Sequence, residues 1–215
     1  MSGNKIAFMV GRLSELVEDW RYCNEQAGLR KTLSLVKADI SRLPYRRLRI
    51  VVLARSLLEP YPDCQPDMQL VIRAFARTDP DLVKKINRPS EARLCARRLA
   101  QGHKGLVAIY GGCFAGYAWG SSDTHLERVH PMLCPGDALL TDSFTSPAFR
   151  CRGIQTALTI ARFQLFRELG YSRAICTIET SNTASLAVWQ GKLKSEVIGT
   201  IDFFRIGPWY KIRYS

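Results

Sequence analysis

The stretch Asp142-Ser-Phe-Thr-Ser-Pro-Ala-Phe-Arg-Cys-Arg-Gly-Ile-Gln-Thr-Ala-Leu158 decides how this chain is read. It runs from a strand, through a proline and a basic turn with one glycine, into a helix. The first N–H groups of a helix have no intrahelical partner, and the macrodipole makes that end partly positive. Gly153 allows close approach to the backbone, and Arg150 and Arg152 add charge, so the turn suits a phosphate or pyrophosphate. It lacks the G-x-x-x-x-G-K-[ST] of a P-loop and the G-x-G-x-x-G of a dinucleotide fold. On these residues alone, a plain strand-to-helix turn with two exposed arginines stays open.

Downstream, Ile154, Leu158, Ala161, Leu165 and Leu169 form the stripe expected of a helix on a sheet, and Gly170 ends it. A strand over 173–179, a short helix over 183–190 and two strands over 197–206 and 209–214 follow. Upstream lies a strand over 138–145, then a polar stretch over 121–136. Before that, strands over 106–110 and 114–120 are joined by Gly111-Gly112, suited to a tight hairpin. Helices start at Thr78-Asp79-Pro80 and Pro89-Ser90-Glu91, preceded by a strand over 68–75. Pro60, Pro62 and Pro66 mark a connector. Ahead of it, helices are expected over 12–26 and 29–43 and an edge strand over 48–54. The division is a helical and strand-bearing extension over 1–67 and a main domain over 68–215.

With 215 residues and 47% hydrophobic content, the chain can bury a core without staples. Disordered, collagenous and disulfide-scaffold classes are excluded, and no run has the ~20 apolar residues of a membrane helix. Seven scattered cysteines without C-x-x-C, and three histidines without H-x-x-x-H, give a metal site no support. Free thiols and the absence of a signal pattern suggest the cytoplasm. The net charge of +12 suggests a polyanionic partner or simple solubility.

The chain over 68–215 resembles the GNAT superfamily of N-acetyltransferases. The family's V-x-P-x-x-R/Q-x-x-G-x-G/A motif meets Thr145, Pro147, Arg150, Gly153 and Gln155, with Gln155 departing from the final Gly/Ala. Asn182 stands at the family's Asn, Ser185 at its small position and Trp189 where Tyr is usual. Leu193-Lys194 replaces the family's Gly-Phe. The resemblance implies an α/β (α+β) fold with a mixed, mostly antiparallel sheet, splayed at the acyl-CoA site and flanked by helices. It implies acetyl transfer from acetyl-CoA to a small-molecule or peptidyl amine by direct attack. The implied cofactor-binding residues are Phe144, Thr145, Arg150, Cys151, Arg152, Gly153, Ile154, Gln155, Thr156, Asn182, Ser185 and Trp189. Asp142 is the first choice of general base and Glu179 the second. Indole is a very poor acid, so the family's Tyr role passes to Tyr210, with Tyr214, Tyr117 or water as alternatives.

Residues 30–55 carry eight basic side chains against Asp39 alone. They form either a solvated helix face and strand or a docking patch for an acidic partner, such as an acyl carrier protein or an anionic surface. Two other readings follow: long-chain N-acylation from a carrier protein or acyl-CoA, and acyl-CoA sensing without catalysis. Nucleic acid is not expected, because no reading helix or RNP-type motif is present. A homodimer stays open.

Overall fold

The computed structural model describes residues 15–26, 28–41, 45–62, 69–122, 132–206 and 209–215. Two helices, α1 (15–26) and α2 (Leu29–Ser41), precede strand β1 (Tyr45–Ser56). Then come β2 (Leu70–Ala74), α3 (Asp79–Ile86), α4 (Pro89–Ala100), β3 (Lys104–Tyr110), β4 (Cys113–Ser121) and β5 (Asp137–Thr145). A 3-10 turn (Pro147–Phe149) leads to α5 (Ile154–Glu168), β6 (Arg173–Glu179) and α6 (Thr183–Leu186). A π-helical turn (Ala187–Lys192) extends α6, and β7 (Glu196–Ile206) and β8 (Trp209–Tyr214) close the chain.

The strands form one sheet in the order β2-β3-β4-β5-β6-β1-β7-β8. Every neighbouring pair is antiparallel except β5–β6. Parallel neighbours need a long crossover, which α5 supplies. The mixed, mostly antiparallel sheet expected from the resemblance is present. So is the Gly111-Gly112 hairpin, where both glycines adopt positive φ (54° and 77°).

Two expectations are corrected. The strand placed in an N-terminal extension, at a sheet edge, is an interior strand. β1 pairs with β6 through Ile50–Ser56 and with β7 through Tyr45–Ala54. The reason is legible in Ile50-Val-Val-Leu-Ala54, an unbroken apolar run of the kind a strand covered on both faces needs. Val52 and Leu53 are fully buried. Residues 45–56, drawn with the extension over 1–67, pair within the main sheet. The second correction concerns α5. Ile154 and Leu158 are buried, but Leu169 is 48% exposed, and the buried face continues through Thr159, Arg162, Phe163 and Phe166. Pro44, Pro66, most of the polar stretch and Gly207-Pro208 lie outside the described residues.

Helices cover both faces of the sheet. Val83, Ala92 and Cys95 of α3 and α4 pack with Phe75, Val107, Tyr117 and Trp119. Side chains alternate along a strand, and the opposite face of β3 and β4 meets Ile154 and Leu158 of α5. Contact on that face is close: a Cβ on Gly120 would lie 2.4 Å from the Phe166 ring. α1 is tied to α4, because the Asp19 carboxylate accepts from Ser90 N–H (3.1 Å) and Oγ (2.6 Å). This satisfies a first-turn N–H of α4 that its own N-cap residue, Arg88, leaves without a side-chain partner.

Because β1 is interior, Leu53→Ala is expected to cost about 2–5 kcal/mol, as for a core leucine. Urea denaturation measures this; a loss below about 1 kcal/mol would place β1 outside the core.

Candidate functional site

β5 and β6 are joined at one end and parted at the other. Asp137, buried at the start of β5, takes two bonds from Arg173 at the start of β6 (Nε to Oδ1, 2.7 Å; Nη2 to Oδ2, 2.8 Å). Parallel pairing runs from Asp137–Arg173 to Leu140–Cys176 and stops there. Beyond it, Phe144 and Thr145 of β5 still pair with Tyr117 and Gly116 of β4. Thr177, Ile178 and Glu179 of β6 still pair with Val52, Val51 and Ile50 of β1. Each strand keeps its outer neighbour and opens its inner edge. Between the edges lies a cleft of about 650 Å³, lined by Leu140–Ser143, Cys176–Glu179, Leu48 and Ile50 of β1, and residues of α4, α5 and α6.

A β-bulge marks where the strands part. The register steps from Ala118–Ser143 to Trp119–Thr141, leaving Asp142 as the extra residue. Arg162 of α5, 2% exposed, sits behind it. Its Nη1 donates to the Trp119 and Thr141 carbonyls (2.9 and 3.0 Å), and Nη2 donates to Thr159 Oγ1 (3.0 Å). None of these acceptors is charged. Burial pulls its pKa down to about 10, which still leaves it cationic at neutral pH.

The basic glycine turn before α5 lies at the open end of β5. Gly153 has φ 74° and Cys151 φ 63°. Among the described residues nothing lies within 4 Å of a Cβ built on Gly153, which leaves room for a ligand at its backbone. Ala157 N–H bonds the Gly153 carbonyl as the first intrahelical bond of α5, leaving the N–H groups of Ile154, Gln155 and Thr156 ahead of it as first-turn donors. Arg150 and Arg152 are exposed. Arg152 lies over the Tyr110 ring at 5.1 Å and donates to its hydroxyl (3.2 Å). Gln155, where the motif usually has a small residue, turns its side chain onto Ser143 Oγ (2.6 Å). These residues fit a pyrophosphate: backbone donors, two cations and no side chain over the glycine.

Other sequence-predicted residues gather at the cleft. Asp142, Glu179, Asn182, Ser185 and Trp189 all line it. Asp142 is ion-paired with Arg98 of α4. Ser181 Oγ lies 3.4 Å from Glu179 Oε2. Asn182 caps α6 by accepting from Ser185 N–H (3.1 Å). Trp189 is 2% exposed, edge-on to Phe163. Phe144 stacks on Tyr117 at 5.6 Å, and burial raises the Tyr117 phenol far above its ordinary range. Tyr210 pairs with Arg205 on edge strand β8, and its side chain lies outside the described residues. β8 lies three strands from β6, or ~14 Å at the usual spacing, so sheet order does not bring the Tyr210 backbone to the cleft.

Arg98, Arg162, Leu48 and Ile50 are cleft residues that sequence reading did not single out. Arg162 stands eight positions after Ile154 on the buried face, and a charge at a core position was the available signal. In the basic 30–55 stretch, Arg49 pairs with Asp202 (3.0 Å) and Arg55 with Glu59 (2.9 Å). Among the described residues no cluster of metal-ligating side chains occurs, and no helix is long and apolar enough to cross a membrane.

A sequence model described as the Acetyltransferase (GNAT) family matches residues 68–194, more than half of the chain. No curated protein sequence matches significantly. Among solved structures, a GCN5-related N-acetyltransferase from Sphaerobacter thermophilus aligns at TM-score 0.52 and 17% identity, over 88% of this chain and 57% of that one. A Drosophila protein aligns at TM-score 0.55 and 13% identity, over 84% and 58%. The chain spans less than three fifths of either structure, and at these identities the likeness is one of fold.

Glu91, half-buried on α4, has its carboxyl pKa raised by burial and then by Asp142, with Arg98 and Arg88 opposing. An acid raised on folding weakens the fold above its unfolded pKa of ~4.3, where the charged form must be buried. Glu91→Gln is therefore expected to raise the melting temperature at pH 7, with the gain fading as the pH falls toward 4. An equal gain at both pH values would contradict this.

Proposed function

The chain belongs to the GNAT acetyltransferase family, and on that premise we propose that it transfers an acetyl group from acetyl-CoA to a primary amine by direct attack. One observation carries this reading. The anion-binding turn before α5 opens onto a cleft whose two walls are the unpaired inner edges of β5 and β6. Unpaired backbone N–H and C=O groups need partners, and the amide-bearing pantetheine arm of coenzyme A, extended from a pyrophosphate on the turn, supplies them.

The thioester brings an activated acyl group, and the protein's own residues do the rest. The N–H groups of Ile154, Gln155 and Thr156, with Arg150 and Arg152, hold the pyrophosphate. Backbone N–H groups near Phe144 and Thr145 face the acyl carbonyl and polarise it. Asp142, on the bulge and 56% exposed, is the carboxylate placed to take the proton the amine gives up, with Glu179 on the facing strand as the second such group. Trp189 occupies the position of the usual tyrosine and cannot serve as an acid. The departing thiolate therefore takes its proton from water, which its roughly 8.5 pKa permits.

Acetyl-CoA is expected to raise the melting temperature, by an amount equivalent to about 2.7 kcal/mol at a hundred times its Kd. Arg150→Glu and Gly153→Asp should abolish the shift, and an added amine should release free CoA. No stabilisation of the folded protein by any acyl-CoA would end this proposal. Stabilisation without CoA release by any amine would favour a cofactor-binding protein that does not transfer.

A further inference from the structure

We propose that the accepted amine carries a carboxylate, held at the β5 bulge by Arg98 and Arg162, so that the substrate class is a small amino acid; this rests on the transfer reaction proposed above. Among the described residues, three side chains lining the cleft have a buried donor without a hydrogen-bond partner: Arg98 Nη1, Arg162 Nε and Thr141 Oγ1. The two guanidinium groups come from opposite faces of the sheet, Arg98 from α4 and Arg162 from α5. They converge on adjacent residues of β5: Arg98 pairs with Asp142, and Arg162 bonds the Thr141 carbonyl (3.0 Å).

Among the described residues, Asp142 is the one carboxylate hydrogen-bonded to either cation, with Glu91 close enough to act on Arg98 through space. Asp142 engages Nη2 of Arg98, and every acceptor of Arg162 is neutral. Asp142 thus acts on both cations, through a hydrogen bond to Arg98 and through space on Arg162, and an arriving anion removes part of the remaining cost of burying them. Guanidinium donors suit the two oxygens of a carboxylate.

The remaining charges narrow the class. Asp142 and Glu179 border the same cleft. Two carboxylates would repel a doubly charged phosphate, but they accept hydrogen bonds from an amine. Cations for one end and carboxylates for the other match a molecule that carries both groups. The cleft, about 650 Å³ and shared with the acyl arm, favours a small one.

The test compares the twenty amino acids with their α-amides, using CoA release from acetyl-CoA together with thermal shifts by the acceptor in the presence of CoA. The amide's amine is less basic and more often neutral, so any bias in the chemistry works against the proposal. The acids are expected to exceed their amides at least about tenfold in kcat/KM, through KM, as for loss of one charged hydrogen bond. Arg98→Gln should bring that ratio close to one, while Arg98→Lys, which keeps the charge, should retain part of it. If Arg98→Gln does not fold, the wild-type ratio and the lysine variant decide. Amides performing as well as acids, a ratio unchanged in Arg98→Gln, or no shift and no turnover with any amino acid would each overturn the proposal. Any of these, with acetyl-CoA stabilisation intact, leaves the transfer reading standing. Loss of acetyl-CoA stabilisation itself would instead remove that reading.

Discussion

The parallel β5–β6 pair is the constraint on which the rest of the molecule depends. It is clamped at one end and forced apart at the other. The Asp137–Arg173 pair fixes the closed end with two short bonds to a buried carboxylate. At the open end an extra residue, Asp142, breaks the register with β4. Arg162 collects the carbonyls of Trp119 and Thr141 there, holding the bulge in one shape. Without the clamp, the strands would have no fixed hinge. Without the bulge, ladder pairing could continue and fill the cleft with protein backbone. A binding slot in a sheet needs both.

Keeping the slot open has an energetic consequence. Two guanidinium nitrogens of side chains lining the slot, Arg98 Nη1 and Arg162 Nε, have no hydrogen-bond partner among the described residues, where folding alone would favour satisfying them. The fold offsets this through apolar packing on either side. Phe163, Phe166, Trp189 and Leu53 form one cluster, and Phe75, Tyr117 and Trp119 form the other. Trp189 contributes to this packing and also forms cleft wall, so a residue unsuited to acid catalysis still has a structural role.

Much of the fold was legible in local sequence. The hairpin at Gly111-Gly112, the turn at Gly153 and the strand–helix–strand unit from 137 to 179 follow from patterns a few residues long. Asp142, Glu179, Asn182, Ser185 and Trp189 were named from sequence, and they share one cleft. The placement of β1 was not legible, because its five-residue apolar run says that both faces are covered without saying by what. α5 misled for a related reason. An apolar stripe does not include Arg162, a charged side chain that the fold places on the buried face.

The sequence by itself determined the glycine turn before α5, the order of the elements and the family, because each depends on residues close together in the chain. Backbone conformation, helix caps and motif spacing are local properties. Tertiary structure decided the rest. It set β1, more than a hundred residues upstream of its neighbours, between β6 and β7. It also brought Arg98 and Arg162, from different helices on opposite faces of the sheet, to adjacent positions of β5. Such meetings depend on strand order and on which carbonyls a bulge releases. No local periodicity encodes either, because both are settled only when distant segments compete for the same backbone partners.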